Sequence, residues 1–484
     1  MLITLTKILL ALALVASCLG TSTPASAAPS LHGSRPNIVL IMPDDISYGA
    51  IQAYGGEKPT PHLDALYQKS LRFENYQVSP TCSPTRAALM TGRHECYAGV
   101  THTIKLRDRM SLKSRTIADM LKSSGYTTGI FGKWHLGDGE EYRPDKRGFD
   151  EVYIHGGGGI SQNYPHSADF PNNDYNNPVL YHNGTVVETK GYCTDLFFDQ
   201  AIRWIGDQKG KKPFFCYLPT NVNHTPRIPP ILPDGSEGDI LINLDDNIGK
   251  MMDYLESAGL SENTIVIYKG DNGAGSGNKQ LRSGKTSMYE GGTRVPCFVY
   301  WKGKIEGGKE CHALAAHIDF FPTFAALARS DEPAPGDKPW DGRSLLPLLE
   351  DPNADWPDRL IITHQTRWDD LTTAQYANAA IRDDHHKLVF PKGKAPELYN
   401  MTTDIREQHN LVDQHPDIVA RLKQRYDTWW ADIQPHLVND HLTDVPATHK
   451  PFHDLYRQQL GQERFDAALR AMTWSHERPR KRNR

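Results

Sequence analysis

The chain has little of what marks the specialised protein classes. Its 484 residues hold only seven cysteines, too thin a spread for a disulfide scaffold. Neither sign of charge prevails. With 54 Lys and Arg against 58 Asp and Glu, the formal net charge is -4, and a nucleic-acid binder, which needs a basic face, is not expected. No apolar run reaches the ~20 residues of a spanning helix, so no transmembrane segment is expected. No internal repeat is found. The hydrophobic share of 38% and the 39 glycines are those of a globular protein and exclude disorder. The length calls for two or three domains or one large α/β unit.

The first residues read as an export signal. Lys7 precedes an apolar run over residues 8–16, and Ala25-Ser26-Ala27 supplies a small-x-small cleavage site, which assigns residues 1–27 to a signal peptide. Within it, Val15-Ala16-Ser17-Cys18 loosely resembles a bacterial lipobox, in which Cys18 would be acylated. Both readings take the chain out of the cytosol, as a periplasmic or secreted protein or as a lipoprotein anchored through Cys18. Six cysteines remain, enough for three disulfides in an oxidising compartment. Cys82 has a better use, given below, and no pairing of the others is readable. The basic tail at residues 476–484 reads as a solvated, disordered end.

One grammar occurs four times: an apolar strand, then polar residues at its end. Residues 37–42 lead into Asp44-Asp45, 126–131 into Gly132-Lys133-Trp134-His135, 214–218 into Asn221 and His224, and 264–268 into Asp271-Asn272. Continuous apolar runs of this length suit strands buried on both faces. Helical spacing precedes three of them, at residues 117–121, 195–208 and 241–255, with Gly125 and Gly259 as stops. The alternation predicts an α/β fold: a large, mostly parallel mixed sheet sandwiched by helices, with the four polar clusters at one sheet edge. Residues 35–350 form the expected catalytic domain. After it, residues 351–475 form a smaller C-terminal α+β subdomain with a short antiparallel sheet and a helix over about 415–433. The Gly-, Asn- and Tyr-rich stretch 155–191 reads as a long surface excursion.

Asp44-Asp45 and Asp271-Asn272 would each be an ordinary turn or cap in isolation. Together they place three carboxylates and an amide oxygen on two strand ends. That set suits a hard cation, Ca²⁺ or less readily Mg²⁺, rather than zinc. The most specific stretch is Ser79-Pro80-Thr81-Cys82-Ser83-Pro84-Thr85-Arg86. Pro84 fits the first turn of a helix beginning at Cys82 or Ser83, whose free N–H groups favour an anion. Arg86 lies one turn on, on the same face.

Cys82-Ser83-Pro84-Thr85-Arg86, with the trailing Leu89-Met90-Thr91-Gly92-Arg93, resembles the Cys-x-Pro-x-Arg signature of the type I sulfatases. The likeness extends through Gly132-Lys133-Trp134-His135-Leu136-Gly137, through Gly284-Lys285, and through Tyr289-Glu290-Gly291-Gly292-Thr293-Arg294 to Glu397-Leu398-Tyr399-Asn400. It implies that a dedicated formylglycine-generating enzyme or maturase converts Cys82 to Cα-formylglycine, whose hydrate attacks a sulfate monoester. It further implies one Ca²⁺ bound by Asp44, Asp45, Asp271, Asn272 and modified Cys82. Arg86 would hold the nucleophile and the sulfate, and Lys133 and Lys285 the sulfate oxygens. His224 with Lys285 would protonate the leaving alcohol, and His135 would take the proton from the second hydroxyl. The implied substrates are aryl sulfates or, rather, carbohydrate sulfates.

Each residue has a plainer reading. Lys133 and Lys285 could be solvated, and His135 and His224 could be satisfied structural histidines. His94, His102, His155, His364, His385 and His386 have no motif support. Two other functions fit the same residues. A phosphate or phosphonate ester hydrolase of the same fold would usually carry Asp-His where this chain has Asp271-Asn272. A non-catalytic binder of sulfated glycans would result if Cys82 stayed unmodified.

Overall fold

The computed structural model describes residues 30–275, 280–330, 339–368, 370–437, 445–446 and 448–472. The signal segment, Cys18 and the basic tail lie outside the described residues. Among the described residues, no helix is long and apolar enough to cross a membrane.

In chain order the strands begin with β1 (Asn37–Ile41), β2 (Leu71–Phe73), β3 (Tyr76–Gln77), β4 (Thr127–Lys133), β5 (Glu151–His155), β6 (Asn163–Tyr164), β7 (Ser167–Ala168), β8 (Val179–His182) and β9 (Thr185–Glu188). They continue with β10 (Phe214–Leu218), β11 (Thr264–Lys269), β12 (Cys297–Tyr300), β13 (Glu310–Cys311), β14 (Ala315–Ala316), β15 (Ile361–His364), β16 (Ala379–Arg382), β17 (His386–Phe390) and β18 (Glu397–Asn400).

Ten strands form one mixed sheet in the order β13-β2-β12-β11-β1-β10-β4-β5-β8-β9. Its centre, β11-β1-β10-β4-β5, is parallel. Every residue of β1, β10 and β11 is buried, as their unbroken apolar runs predict. One face, with Val39, Cys216 and Val266, packs on the helices Cys193–Gln208 and Ile240–Ser257 through Phe197, Trp204, Leu244 and Ile248. On the other, Phe215 meets Phe324 of the helix Phe320–Ala328 at 5.8 Å. Each such side chain contributes roughly 1.5–3 kcal/mol on burial. Asp239 caps the helix Ile240–Ser257 by accepting from the Leu241 and Ile242 N–H groups, and Gly259 (φ +68°) follows its end.

Because the five central strands are parallel, their C-terminal ends share one edge. The four polar clusters meet there, and β5 adds a fifth end at His155.

The stretch 155–191 differs from the expected surface excursion. Gly156, Gly157, Gly158 and Gly159 are buried, and β8 and β9 extend the main sheet antiparallel to β5. Asn183-Gly184 is the turn between them, with φ of +47° and +93°, as the mirror-image turns of hairpins require. The six described cysteines are all buried and unpaired, against the three disulfides that their number allowed. Each fills space as a small apolar side chain, Cys82 excepted.

β15 to β18 form the expected four-stranded antiparallel sheet. The helix Pro416–Ile433 lays Leu422, Tyr426, Trp430 and Ile433 against Ile381 and Leu388. The sheet is tied to the segment carrying Lys285 by a buried ion cluster. Glu290 contacts Arg294 at 2.6 Å, Lys387 at 2.9 Å and Arg382 at 3.3 Å.

Candidate active site

Cys82 opens the helix Cys82–Thr91, following Thr81 in extended conformation, and is 2% exposed. Its Sγ lies 3.4 Å from Asp44 Oδ1 and 3.3 Å from Lys285 Nζ. Burial, then the neighbouring Asp44, push the thiol up to about 12, so the bare side chain stays protonated and is a poor nucleophile.

Three buried aspartates surround it, each met by a cation. Lys133, the last residue of β4, contacts Asp44 Oδ2. Lys285 Nζ lies 2.6 Å from Asp45 Oδ1. Arg86 Nη2 donates to Asp271 Oδ2 at 2.9 Å and lies 3.8 Å from Asp44, while its Nη1 donates to the Lys133 carbonyl at 2.8 Å. Burial raises Asp44, but Lys133 and the other cations outweigh it and hold the carboxyl well below the usual range. Asp271 shifts upward through burial and the nearness of Asp44. Acids that repel this strongly need compensating positive charge.

The donor set fits a hard cation. Ligand atoms of Asp44, Asp45, Cys82 and His224 lie within 4.8 Å of one another. Asn272 donates from Nδ2 to Asp45 Oδ1 at 2.7 Å, and its buried Oδ1 has no hydrogen-bond partner. Asp271 stands behind, accepting the Asp45 N–H at Oδ1 over 2.9 Å.

The two histidines hold opposite tautomers. His135 donates from Nε2 to the Thr103 carbonyl at 2.8 Å, which leaves its buried Nδ1 unprotonated and without a partner. Burial and Lys133 lower its pKa well below the usual value. His224 donates from Nδ1 to the Thr225 carbonyl at 2.6 Å, leaving Nε2 as the acceptor. Burial and Lys285 bring it down to about 4. The protonated group beside it at neutral pH is Lys285. Burial works against that charge, but Cys82 and Asp45 raise its pKa.

A cleft of about 340 Å³ opens over Cys82, His135, His224 and Lys285. Thus all ten residues singled out in the sequence converge on one sheet edge. The stretch 155–191 contributes Gly158, Gln162 and Tyr164 to the rim, and Arg367 joins them from the loop after β15.

Sequence reasoning missed other parts of the site. His102, Thr103 and Ile104 line the cleft from a stretch with no motif. Lys269 is fully buried beneath the site, its Nζ 3.2 Å from Met42 Sδ. A lysine closing an apolar strand two residues before Asp271 was a readable signal for it. His155 ends β5 at the same edge, with Nε2 buried and unpartnered. Its strand is not continuously apolar, so it did not show the common pattern.

Comparison with known proteins bears on this geometry. Residues 36–330 match the family model described as Sulfatase, and residues 283–431 match N-sulphoglucosamine sulphohydrolase, C-terminal. The chain is 30% identical to the N-acetylgalactosamine-6-O-sulfatase of Bacteroides thetaiotaomicron, over 81% of this chain and 93% of that protein. It is 32% identical to human N-acetylgalactosamine-6-sulfatase, over 67% of each. Its fold is similar to the crystal structure of Ps i-CgsB in complex with k-i-k-neocarrahexaose, with a TM-score of 0.73 and 27% identity, covering 90% of this chain and 99% of that one.

Proposed function

The chain belongs to the sulfatase family of sulfuric ester hydrolases, and from that premise we propose that it hydrolyses carbohydrate sulfate monoesters with residue 82 in the Cα-formylglycine form and one Ca²⁺ held by Asp44, Asp45, Asp271, Asn272 and residue 82. One observation carries the reading. Three aspartates, an unpartnered amide oxygen and three matched cations close on the first residue of a helix. The carbohydrate part rests on the relatives, two of them named for N-acetylgalactosamine sulfate and one structure holding an oligosaccharide. Export, read from residues 1–27, suits a glycan met outside the cytosol.

Bound here, the cation would act as a Lewis acid toward a hydroxyl, and the formylglycine hydrate would offer a nucleophilic oxygen that can later release sulfate. The chain's own groups do the rest. Lys133, Lys285 and Arg86 face the charge of the sulfuryl oxygens from a water-poor pocket, where such contacts are strongest. His135 Nδ1 is free to take a proton released at residue 82. Neutral at ordinary pH, His224 orients the leaving oxygen, and Lys285 beside it is the proton store.

The deciding measurement is the mass of the tryptic peptide 73–86 from protein made in its native host. An aldehyde or its hydrate at position 82, with turnover of an aryl sulfate and not of the matching aryl phosphate, is expected. A quantitative free thiol in that peptide would sink the mechanism.

A further inference from the structure

Around and beneath the cleft every aspartate has a cation: Lys133 meets Asp44, Lys285 meets Asp45, and Arg86 meets Asp271 and lies 3.8 Å from Asp44. Arg367 differs from these cations. It lines the same cleft from the loop after β15, and among the described residues no carboxylate pairs with it. Its Nη2 donates to Thr103 Oγ1 at 2.8 Å, and its Nε is buried without a partner. Desolvation pushes its pKa down, opposed by Cys82, Asp45 and Tyr164 across the cleft.

The backbone that delivers this side chain is strained. Thr366 and Arg367 both have φ of +57°, a region β-branched residues avoid. Two bonds hold the turn: the Thr366 N–H donates to His364 Nδ1 at 2.9 Å, and the Arg367 N–H to the Thr101 carbonyl at 2.9 Å. Strain kept in place by such contacts collects at ligand clamps. An unpaired, part-buried guanidinium is costly, and its planar fork suits carboxylate and sulfate oxygens.

We propose that Arg367 is a specificity residue that binds a second anionic group on the substrate, a uronate carboxylate or a second sulfate on the saccharide carrying the scissile ester. This rests on the sulfate-ester reading above and narrows it to doubly anionic sugars. Arg367 shares Thr103 with His135, whose Nε2 donates to the Thr103 carbonyl, so a filled anion site also steadies the catalytic histidine.

The test compares three saccharides: one with the scissile sulfate alone, one with a second sulfate, and one with an adjoining carboxylate. The wild type is expected to favour one doubly anionic form by tenfold or more in kcat/KM, and the preferred form identifies the anion. Arg367→Gln should remove most of that preference, chiefly through KM, and Arg367→Lys should restore part of it. Equal losses on all three saccharides would make Arg367 a structural clamp and overturn the proposal, as would a wild type without preference. Calorimetric binding in a Cys82→Ala background separates the two readings. Tighter binding of a doubly anionic sugar, lost with Arg367→Gln, supports the anion site even if no ester is cleaved. Binding indifferent to Arg367 overturns it.

Discussion

Two groups of buried aspartates lie on either side of the Gly156–Gly159 loop and differ in what balances them. Asp44, Asp45 and Asp271, around Cys82 at the base of the cleft, are each met by a lysine or arginine. Behind the loop, Asp108, Asp138 and Asp169 are as deeply buried, but the last two are held by backbone N–H groups. Asp138 accepts from Gly157 at 3.1 Å, and Asp169 from Gly156 at 2.8 Å and Ser161 at 2.9 Å. Burial, then Asp108, push Asp138 up to about 8, and burial pushes Asp169 up to about 7. Arg109 also acts on Asp138 but does not offset burial, so this aspartate becomes a neutral acid. Asp44 is kept ionised by the cations around it, Lys133 foremost.

Removing a cation from the first group should break the contrast most sharply. Lys133→Ala is expected to lower kcat on an aryl sulfate by about a thousandfold, because it removes a preorganised charge beside the reacting group. It also takes the nearest cation from Asp44 and leaves Arg86 at 3.8 Å, at up to roughly 3–5 kcal/mol of stability. The double variant Lys133→Ala/Asp44→Asn should regain stability in denaturant melts without regaining turnover. If activity returned with stability, Lys133 would be structural.

The second group gives a smaller, pH-dependent effect. The folded-state pKa of Asp138 is raised, so the folded chain keeps a proton that the unfolded chain releases. Stability from this group is present at low pH and is lost as pH rises from about 4 to about 8. Asp138→Asn removes that loss and keeps an acceptor for Gly157. Melts should nearly coincide at low pH, with the variant ahead by on the order of a few kcal/mol at pH 8.5. A gap independent of pH would mean that Asp138 is ionised in the folded protein.

The two groups were unequally legible. Asp44, Asp45 and Asp271 follow unbroken apolar strands, so the sequence pattern alone placed them at a sheet edge. The motif around Cys82 then named their neighbours. Asp138 and Asp169 lie in loops with no periodicity, and their burial depends on how the 155–191 stretch folds. That stretch was misread because its four glycines look like solvent-exposed linker, although Asn183-Gly184 between two apolar runs signalled a hairpin. Arg367 carries no motif. What singles it out is the lack of a carboxylate partner among the described residues, a property of three-dimensional packing that no spacing encodes.

Gly158 joins the two regions and gives the finest test. Its loop is pinned from behind by Asp138 and Asp169, and its front faces the cleft over Cys82. A Cβ at this position would stand 2.7 Å from His135 Nε2 and 2.8 Å from Gln162 Oε1. The flexible glutamine can move aside. The imidazole is clamped by the Thr103 carbonyl and can yield only by weakening that bond. Gly158→Ala should therefore fold as the wild type does and lose about tenfold in kcat on an aryl sulfate, the cost of a small misplacement of a reacting group. Because the loop is pinned by carboxyls on its other side, the methyl group pushes on His135 rather than on the loop. An unchanged kcat would show that His135 does not act in the rate-limiting step. A lost fold would show that the second group of aspartates does not hold the loop firmly enough to transmit the strain.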